Sequence, residues 1–338
     1  MPIVGIDIGS YSIKVVELSA SGQTREVSVV ASTYNPVGHY LPDDQKQFES
    51  LVVAIKTLLT EYKIVGKKAA IALPETSIFS SFIDMPSLSE TELSSAISWE
   101  AEQHLPVSLE TVNLEYTVID RAADADGKMK VLLVAAKKSV VEKLIQAAEL
   151  LEVELVAVES GLLSLGRSFV ATYPNSAPTL LANFGALSTD LVIVADNKPI
   201  MMHSIPNGGL ALTRAVERGL GLQPSQAEEY KRTYGFLKDQ LEGRVAATLA
   251  PVFTTVLSEI RKTIQYYQSD GVHQVGKILL YGGSAYVPDL ASFVTGGLGL
   301  EAITANPFDG MTLSAGLRLP IETASFGVAC GLAMREEE

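Results

Sequence analysis

The sequence predicts an α/β protein of two similar halves that share one cleft, with a smaller subdomain inserted in the first half. The first observation behind that reading is the stretch Val4-Gly5-Ile6-Asp7-Ile8-Gly9-Ser10-Tyr11-Ser12-Ile13-Lys14: an apolar strand carrying one acid, a Gly turn with hydroxyls, and a second strand. The second is a repeat over residues 180–193, in which Asn183 falls where Asp7 fell and Gly185 where Gly9 fell. The third is length. A chain of 338 residues exceeds one ordinary core, and the two hairpins lie about half a chain apart.

The first hairpin is chemically suggestive. A carboxylate between Ile6 and Ile8 is costly to bury without a partner. Gly9 lets the backbone approach an anion, and the N–H groups of Ser10, Tyr11 and Ser12 can converge on one phosphate. Hydrated Mg2+ would satisfy Asp7, because Mg2+ uses few protein carboxylates together with phosphate oxygens. A plain β-hairpin explains the same residues when the hairpin is taken alone; its second copy is what favours a site.

Composition sets the outer bounds. Hydrophobic residues make up 47% of the chain and mean hydropathy is +0.23. No run approaches the roughly 18 uninterrupted apolar residues of a membrane span, and no basic, cleavable leader opens the sequence. A cytoplasmic location without direct membrane insertion is expected. The single Cys330 lies in an apolar run and is expected to be a buried structural thiol. A net charge of -13 disfavours nucleic acid and favours partners with basic segments.

In order along the chain, residues 15–19 and 26–32 extend the hairpin into a meander turning at Ser21-Gly22. Asp43 or Asp44 caps a helix to about Tyr62, with Phe48, Leu51, Val52, Ile55, Leu58 and Leu59 as its apolar stripe. Residues 68–73 and 77–84 read as strands. Ser89 and Glu92 form a capping box that opens a helix to about His104. Strands over 112–120 and 129–136 flank a charged tip at 121–128, and a helix over 139–151 and a strand over 154–158 follow. The expected organisation is a first core over 1–85, an insertion over 86–156, a return and linker over 157–176, a second domain over 177–320, and a C-terminal helix over 321–338 that returns to the first core.

Residues 173–178, with two prolines and turn formers, are the clearest linker stretch. A strand over 199–205 leads to Asn207-Gly208-Gly209, which opens a helix, and helix N-termini attract phosphate. Glu228 and Lys231 share one face of the next helix, either holding a polar ligand or forming an ordinary ion pair. A long helix is expected over 242–268. The strand over 276–281 ends in Gly282-Gly283-Ser284, on whose bare backbone a flat base can lie; an ordinary strand-to-helix turn is the alternative.

The string Gly5-Ile6-Asp7-Ile8-Gly9-Ser10, Asn183-Phe184-Gly185, Gly208-Gly209, Ala227-Glu228-Glu229-Tyr230-Lys231 and Leu280-Tyr281-Gly282-Gly283-Ser284 resembles, in order and spacing, the nucleotide-binding signature of the actin-like ATPases. Within that superfamily the chain is most similar to the PilM family of type IV pilus assembly proteins, relatives of the cell-division protein FtsA. The inserted subdomain, the Glu-Gln-His-Leu-Pro end of the run 94–106 and the Gly208–Arg214 stretch carry that likeness. The acidic end of the chain lacks the basic amphipathic helix by which FtsA holds membranes.

The resemblance implies a duplicated actin-like (RNase H-like) fold with ATP and Mg2+ in the cleft. Gly9, Ser10, Tyr11, Ser12 and Lys14 would lie beside the phosphates, with Asp7 holding the metal through water. Gly185, Ala186 and Thr189 would clamp from the other side with Asn183, and Gly208 and Gly209 would support the α-phosphate end. Glu228 and Lys231 would contact ribose and base over a floor of Gly282, Gly283 and Ser284. The partner implied is the N-terminal cytoplasmic tail of a PilN-like bitopic membrane protein, bound in a groove between the first core and the insertion. That contact makes the location peripheral to the inner face of the membrane, and pilus motor ATPases stand as further partners.

Two departures bear on activity. Hydrolysing relatives carry an acid where this chain has Asn183, which cannot act as a base. Glu159 is then the remaining catalytic candidate, and hydrolysis is expected to be slow or absent. A small-molecule kinase would need a carboxylate base facing a sugar or acid pocket, and no Asp is so placed in the sequence; a filament-forming actin-like ATPase is the third class. No Ser-His-Asp set or metal cluster competes, because His39, His104, His203 and His273 are scattered. Trp99 sits on the capped helix near Ile97, Glu100, Glu102 and Gln103; packing inside the insertion is its ordinary fate, and anchoring the partner tail is the functional one.

Overall fold

The computed structural model describes residues 3–21, 24–64, 66–121, 127–269 and 271–336. The expected turn at Gly22, most of the charged tip and the last two residues of the tail lie outside the described residues. In chain order the first half runs β1 (Ile3–Ile8), β2 (Ser12–Ser21), β3 (Thr24–Tyr34), α1 (Gln45–Glu61), β4 (Lys68–Leu73), β5 (Ile78–Pro86), α2 (Glu90–His104), β6 (Val112–Asp120), β7 (Lys128–Lys137), α3 (Lys138–Leu151), β8 (Glu154–Ser160) and α4 (Gly161–Thr172). The second half runs β9 (Thr179–Phe184), β10 (Thr189–Ala195), β11 (Lys198–Ile205), α5 (Gly209–Leu220), α6 (Pro224–Tyr234), α7 (Arg244–Tyr267), β12 (Lys277–Tyr281), α8 (Leu290–Leu298), β13 (Ala302–Thr304), β14 (Thr312–Leu313) and α9 (Gly327–Ala333).

The duplication is visible in the sheets. One has the order β14-β3-β2-β1-β4-β8 and the other β11-β10-β9-β12-β13. In each, three antiparallel meander strands come first; the first of them then pairs in parallel with a fourth strand, which pairs in parallel with a fifth. The two hairpin turns close identically: Gly9 N donates to Ser12 O at 3.0 Å, and Gly185 N donates to Ser188 O at 2.9 Å.

One apolar cluster joins the halves. Ile3, Ala70 and Ala72 of the first sheet, Leu181, Val192, Leu279 and Tyr281 of the second, Leu162, Leu165 and Phe169 of α4, and Val328 and Leu332 of α9 share it. The C-terminal helix thus returns to the first half as expected, but the return begins earlier than residue 321, since β14 already pairs with β3. Cys330 is the free, buried thiol the sequence called for, and burial pushes its pKa up to about 12.

The insertion is narrower than expected. The three-stranded antiparallel sheet β5-β7-β6 spans 78–137 together with α2, whereas α3 sends Leu144, Ala147 and Leu151 into the first core beside α1, and β8 belongs to the first sheet. The boundaries 86 and 156 are corrected accordingly. The strand expected over 77–84, within the span assigned to the first core, pairs instead with Leu132, Val134 and Ala136 of β7. Alternation then decides the faces. Val131, Leu133 and Ala135 pack under Leu93, Ile97 and Ala101 of α2, whereas Val134, Ala136 and Ile78 join the first core. Trp99 lies on the outer side of α2 and is 64% exposed, so the internal packing role is overturned.

The approach of α9 is exceptionally close. A Cβ added at Gly331 would stand 1.8 Å from Ser164 O, and one at Gly5 would stand 2.0 Å from Ala329 O. Ser164 Oγ also donates to Val328 O at 2.7 Å. Gly331→Ala must therefore push α9 off α4, and overpacking of this kind costs ~1–3 kcal/mol. Urea denaturation of the variant is expected to show a lower midpoint with an unchanged slope.

Candidate functional site

The cleft between the two sheets has a volume of about 740 Å³, within the range of small-molecule sites. Its walls include Asp7, Gly9, Ser10, Tyr11, Ser12 and Lys14 from the first hairpin and Asn183, Gly185 and Ala186 from the second. Gly209, Glu228, Lys231, Gly282, Gly283 and Ser284 line the opposite end. Of the expected site residues, Glu159, Thr189 and Gly208 do not line the cleft.

Each of those three has a structural assignment. Glu159 is 9% exposed; its oxygens accept from Arg167 at 2.6 and 2.7 Å and from Arg335 at 2.8 Å, so it is committed to an ion-pair cluster and is not placed to orient a water. Thr189 Oγ1 donates to Asn207 O at 2.8 Å. Gly208 is a packing residue, since a Cβ there would meet Gly185 O and Ala186 O at 2.7 Å. The N-terminus of α5 is also occupied. Gly209 N donates to Gly185 O and Leu210 N to Ala186 O, each at 2.9 Å, so the amides expected to meet a phosphate instead hold the second hairpin turn.

Five carboxylates line the cleft, Asp7, Glu75, Asp190, Glu228 and Glu322, and the sequence reading did not single out Glu75, Asp190 or Glu322. Asp7 lies 3.5 Å from Lys14 Nζ, its cross-strand neighbour. Asp190 stands opposite Asn183 in the β9–β10 ladder, as Lys14 stands opposite Asp7 in the β1–β2 ladder. The acid of the second hairpin is therefore present, on the other strand. Asp190 accepts from Ser204 Oγ at 2.5 Å and Ser188 Oγ at 3.0 Å; burial raises its pKa against those bonds, and the charge of Asp7 adds to the rise. Glu75 follows β4, accepts from Ser160 Oγ at 2.5 Å and Leu162 N at 3.2 Å, and has its pKa raised to about 7, first by burial and also by Asp190. Asp190 and Glu75 are cleft acids that local sequence pattern does not single out.

At the other end, Lys231 is buried and its ammonium donates to Glu228 Oε2 at 2.6 Å, Thr213 Oγ1 at 3.0 Å and Gly209 O at 3.2 Å. Burial lowers its pKa, and Glu228 opposes that. With three acceptors taken, Lys231 orients Glu228 and has no donor left for a base. Arg232 lines the cleft and pairs with Glu322, and Tyr286 OH receives the Ala324 N–H at 2.9 Å; neither contact is legible in local pattern, because both join segments far apart in the chain.

The donors present suit a nucleotide with a divalent cation. A Cβ at Gly282 would lie 2.4 Å from Phe184 O and its φ is +85°, so only glycine makes this turn, while the neighbouring Gly283 faces open space within 4 Å. That leaves a bare backbone floor for a flat group. Asp7, Asp190 and Glu75 crowd negative charge at the opposite end, where a cation would relieve the rise in the last two. Among the described residues no group of three His, Cys, Asp or Glu could hold a metal ion by itself.

The family model described as type IV pilus assembly protein PilM matches residues 5–337. This chain belongs to the PilM family. A solved PilM-PilN type IV pilus biogenesis complex is similar over 98% of both chains, with a TM-score of 0.85 and 25% identity. The fold is shared more widely: ethanolamine utilization protein EutJ from Carboxydothermus hydrogenoformans gives a TM-score of 0.59 at 13% identity over 98% of this chain and 88% of its own. MreB5 of Spiroplasma citri bound to ADP gives 0.56 at 13% identity over 98% and 94%. The expected actin-like architecture and the PilM resemblance are thereby shown. Among the described residues no helix of this PilM family member is long and apolar enough to cross a membrane.

The raised pKa of Glu75 has a measurable consequence. Its carboxyl holds a proton in the folded chain up to about pH 7, against 4.5 ordinarily, so the stability this proton confers is complete below about 4.5 and is lost as pH rises toward 7. Within that window each pH unit costs up to about 1.4 kcal/mol. Glu75→Gln removes the dependence. The melting temperature of the variant should gain on the parent between pH 5 and pH 8; a difference that stays flat contradicts the enclosure of Glu75.

Proposed function

We propose that this chain is an ATP-binding adaptor of type IV pilus assembly, which carries on its insertion the cytoplasmic N-terminal tail of a PilN-like membrane protein. The observation that carries the reading is the match to the PilM family over nearly the whole chain, joined to a similar solved structure that is a complex with PilN. In this reading the protein acts at the cytoplasmic face of the membrane through its partner. Pilus motor ATPases remain further candidates for contact.

In the cleft, the amides of Ser10, Tyr11 and Ser12 with Lys14 would hold the phosphates, facing Gly185 and Ala186. Asp7 would hold Mg2+ through water, and the ion would offset phosphate charge in an otherwise acidic site. The unengaged oxygen of Glu228 would accept from the ribose, and Gly282, Gly283 and Ser284 would lie beneath the base. Asp7→Ala is expected to abolish Mg-ATP binding in calorimetry while circular dichroism is unchanged; retained affinity in the folded variant would move the site.

The groove follows from the faces of the small sheet. The α2 face is closed by its helix, so a tail between insertion and core would meet the other face, where Phe82 stands opposite Leu132, Glu115 opposite Val134 and Asp84 opposite Lys130. The expected position on α2 at Trp99, Glu100 and Glu102 is revised, because that helix lies on the far side of the sheet from the core. In a titration with a synthetic PilN-like tail peptide, Phe82→Asp should weaken binding by at least ten-fold and Trp99→Ala should spare it. The reverse pattern would place the peptide on α2.

ATP hydrolysis is a second reading, favoured by one observation. Glu75 is a cleft carboxyl whose pKa of about 7 suits proton uptake near neutral pH. Steady-state phosphate release that falls in Glu75→Gln, with ATP affinity kept, would support it.

A further inference from the structure

The segment 35–43, between β3 and α1, spans from the cleft to the foot of the small sheet. Asn35 is fully buried. Its backbone N–H donates to Tyr11 O at 2.9 Å, and its side-chain amide donates to Gly9 O at 2.8 Å and to His39 O at 2.9 Å. Its Oδ1 accepts from Val37 N at 3.0 Å. One side chain therefore fixes both the first hairpin turn and the bend of the segment. Losing either of the amide's partners would leave a buried donor unpaired, at about 1–3 kcal/mol, so turn and segment move together.

The other end of the segment packs on the first core and meets α3. Tyr40 lines the cleft, where its hydroxyl donates to Ala72 O at 2.7 Å. Its ring, with Val37 and Leu41, belongs to the same apolar cluster as Val134 and Ala136 of the small sheet and Val140 and Val141 of α3. Lys143 of α3 then clamps the end, its ammonium donating to Pro42 O at 3.0 Å and pairing with Asp43 at 2.7 Å. α3 continues directly from β7, the central strand of the small sheet.

We propose that residues 35–43 are a strap that couples the nucleotide cleft to the partner groove, with Asn35 the positioning residue at one end and Lys143 the clamp at the other. This rests on the function proposed above. A phosphate seated on the amides after Gly9 stiffens the turn; through Asn35 it stiffens the strap, and through Tyr40 and Lys143 it orders the wall on which the tail lies. Each ligand then tightens the other by the same factor, as linkage requires, and typical couplings are roughly 5–150-fold.

The test uses the full chain, Mg-ATP and a synthetic peptide of the PilN-like tail. Peptide affinity is measured with and without saturating Mg-ATP, and ATP affinity with and without saturating peptide. Both ratios should agree at roughly ten-fold. Lys143 does not line the cleft; Lys143→Ala should bind ATP alone as the parent does and bring the ratio close to one. Asn35→Asp, which keeps the acceptor and loses the donors, should weaken ATP and abolish the coupling. Independent binding of both ligands to the parent protein, or full coupling in Lys143→Ala, would overturn the strap while leaving the adaptor reading intact. Failure of the parent to bind the peptide at all would overturn both.

Discussion

The two sheets bury their inner faces against the same pair of helices, α4 and α9, and the position of the cleft follows from that packing. Leu162, Leu165 and Phe169 on one helix and Val328 and Leu332 on the other touch residues from both halves. Because the sheets share an apolar filling, their first hairpins are presented to one space, and the twin turns at Gly9 and Gly185 line it from opposite sides. The close contact at Gly5 and Gly331 leaves α9 little freedom to slide. A rigid joint of this kind sets the spacing between hairpins at the level of the fold, before any ligand is present.

Charge decides what the joint presents. Asp7, Asp190 and Glu75 face the cleft, and burial together with mutual repulsion keeps the last two above the ordinary carboxylate range. A divalent cation carried in with an anion would offset this charge. The end near α6 has the opposite character: Lys231 and Glu228 neutralise each other in the interior, and the exposed feature is bare backbone at Gly283. The cleft is thus divided into a charged end and a flat, neutral end, the division a nucleotide itself has.

Much of this was readable in the sequence because a phosphate-type turn needs specific residues at fixed spacing. The two hairpins, the glycine floor and most helices and strands emerge from local pattern, as do the capping residues Asp44 and Ser89. What escaped depends on contacts across the fold. Asp190 was missed because its role comes from standing opposite Asn183 in a ladder, seven residues away along the chain. Glu75 ends up in the cleft because β4 ends there, and Glu159 leaves it because Arg167 and Arg335 arrive from two other segments. Helix α3 looks like part of the insertion until its Leu144 and Leu151 are seen to fill the first core. Trp99 is a similar case: apolar identity suggests burial, while its position on the outer side of α2 exposes it.

The central claim is that two hairpins from separate halves hold one ligand together. Amide hydrogen exchange of the full chain with and without Mg-ATP tests it most directly. Protection that rises together in residues 9–12 and 185–188 is the predicted result. Protection confined to one hairpin, or unchanged exchange in both at saturating Mg-ATP, would contradict it.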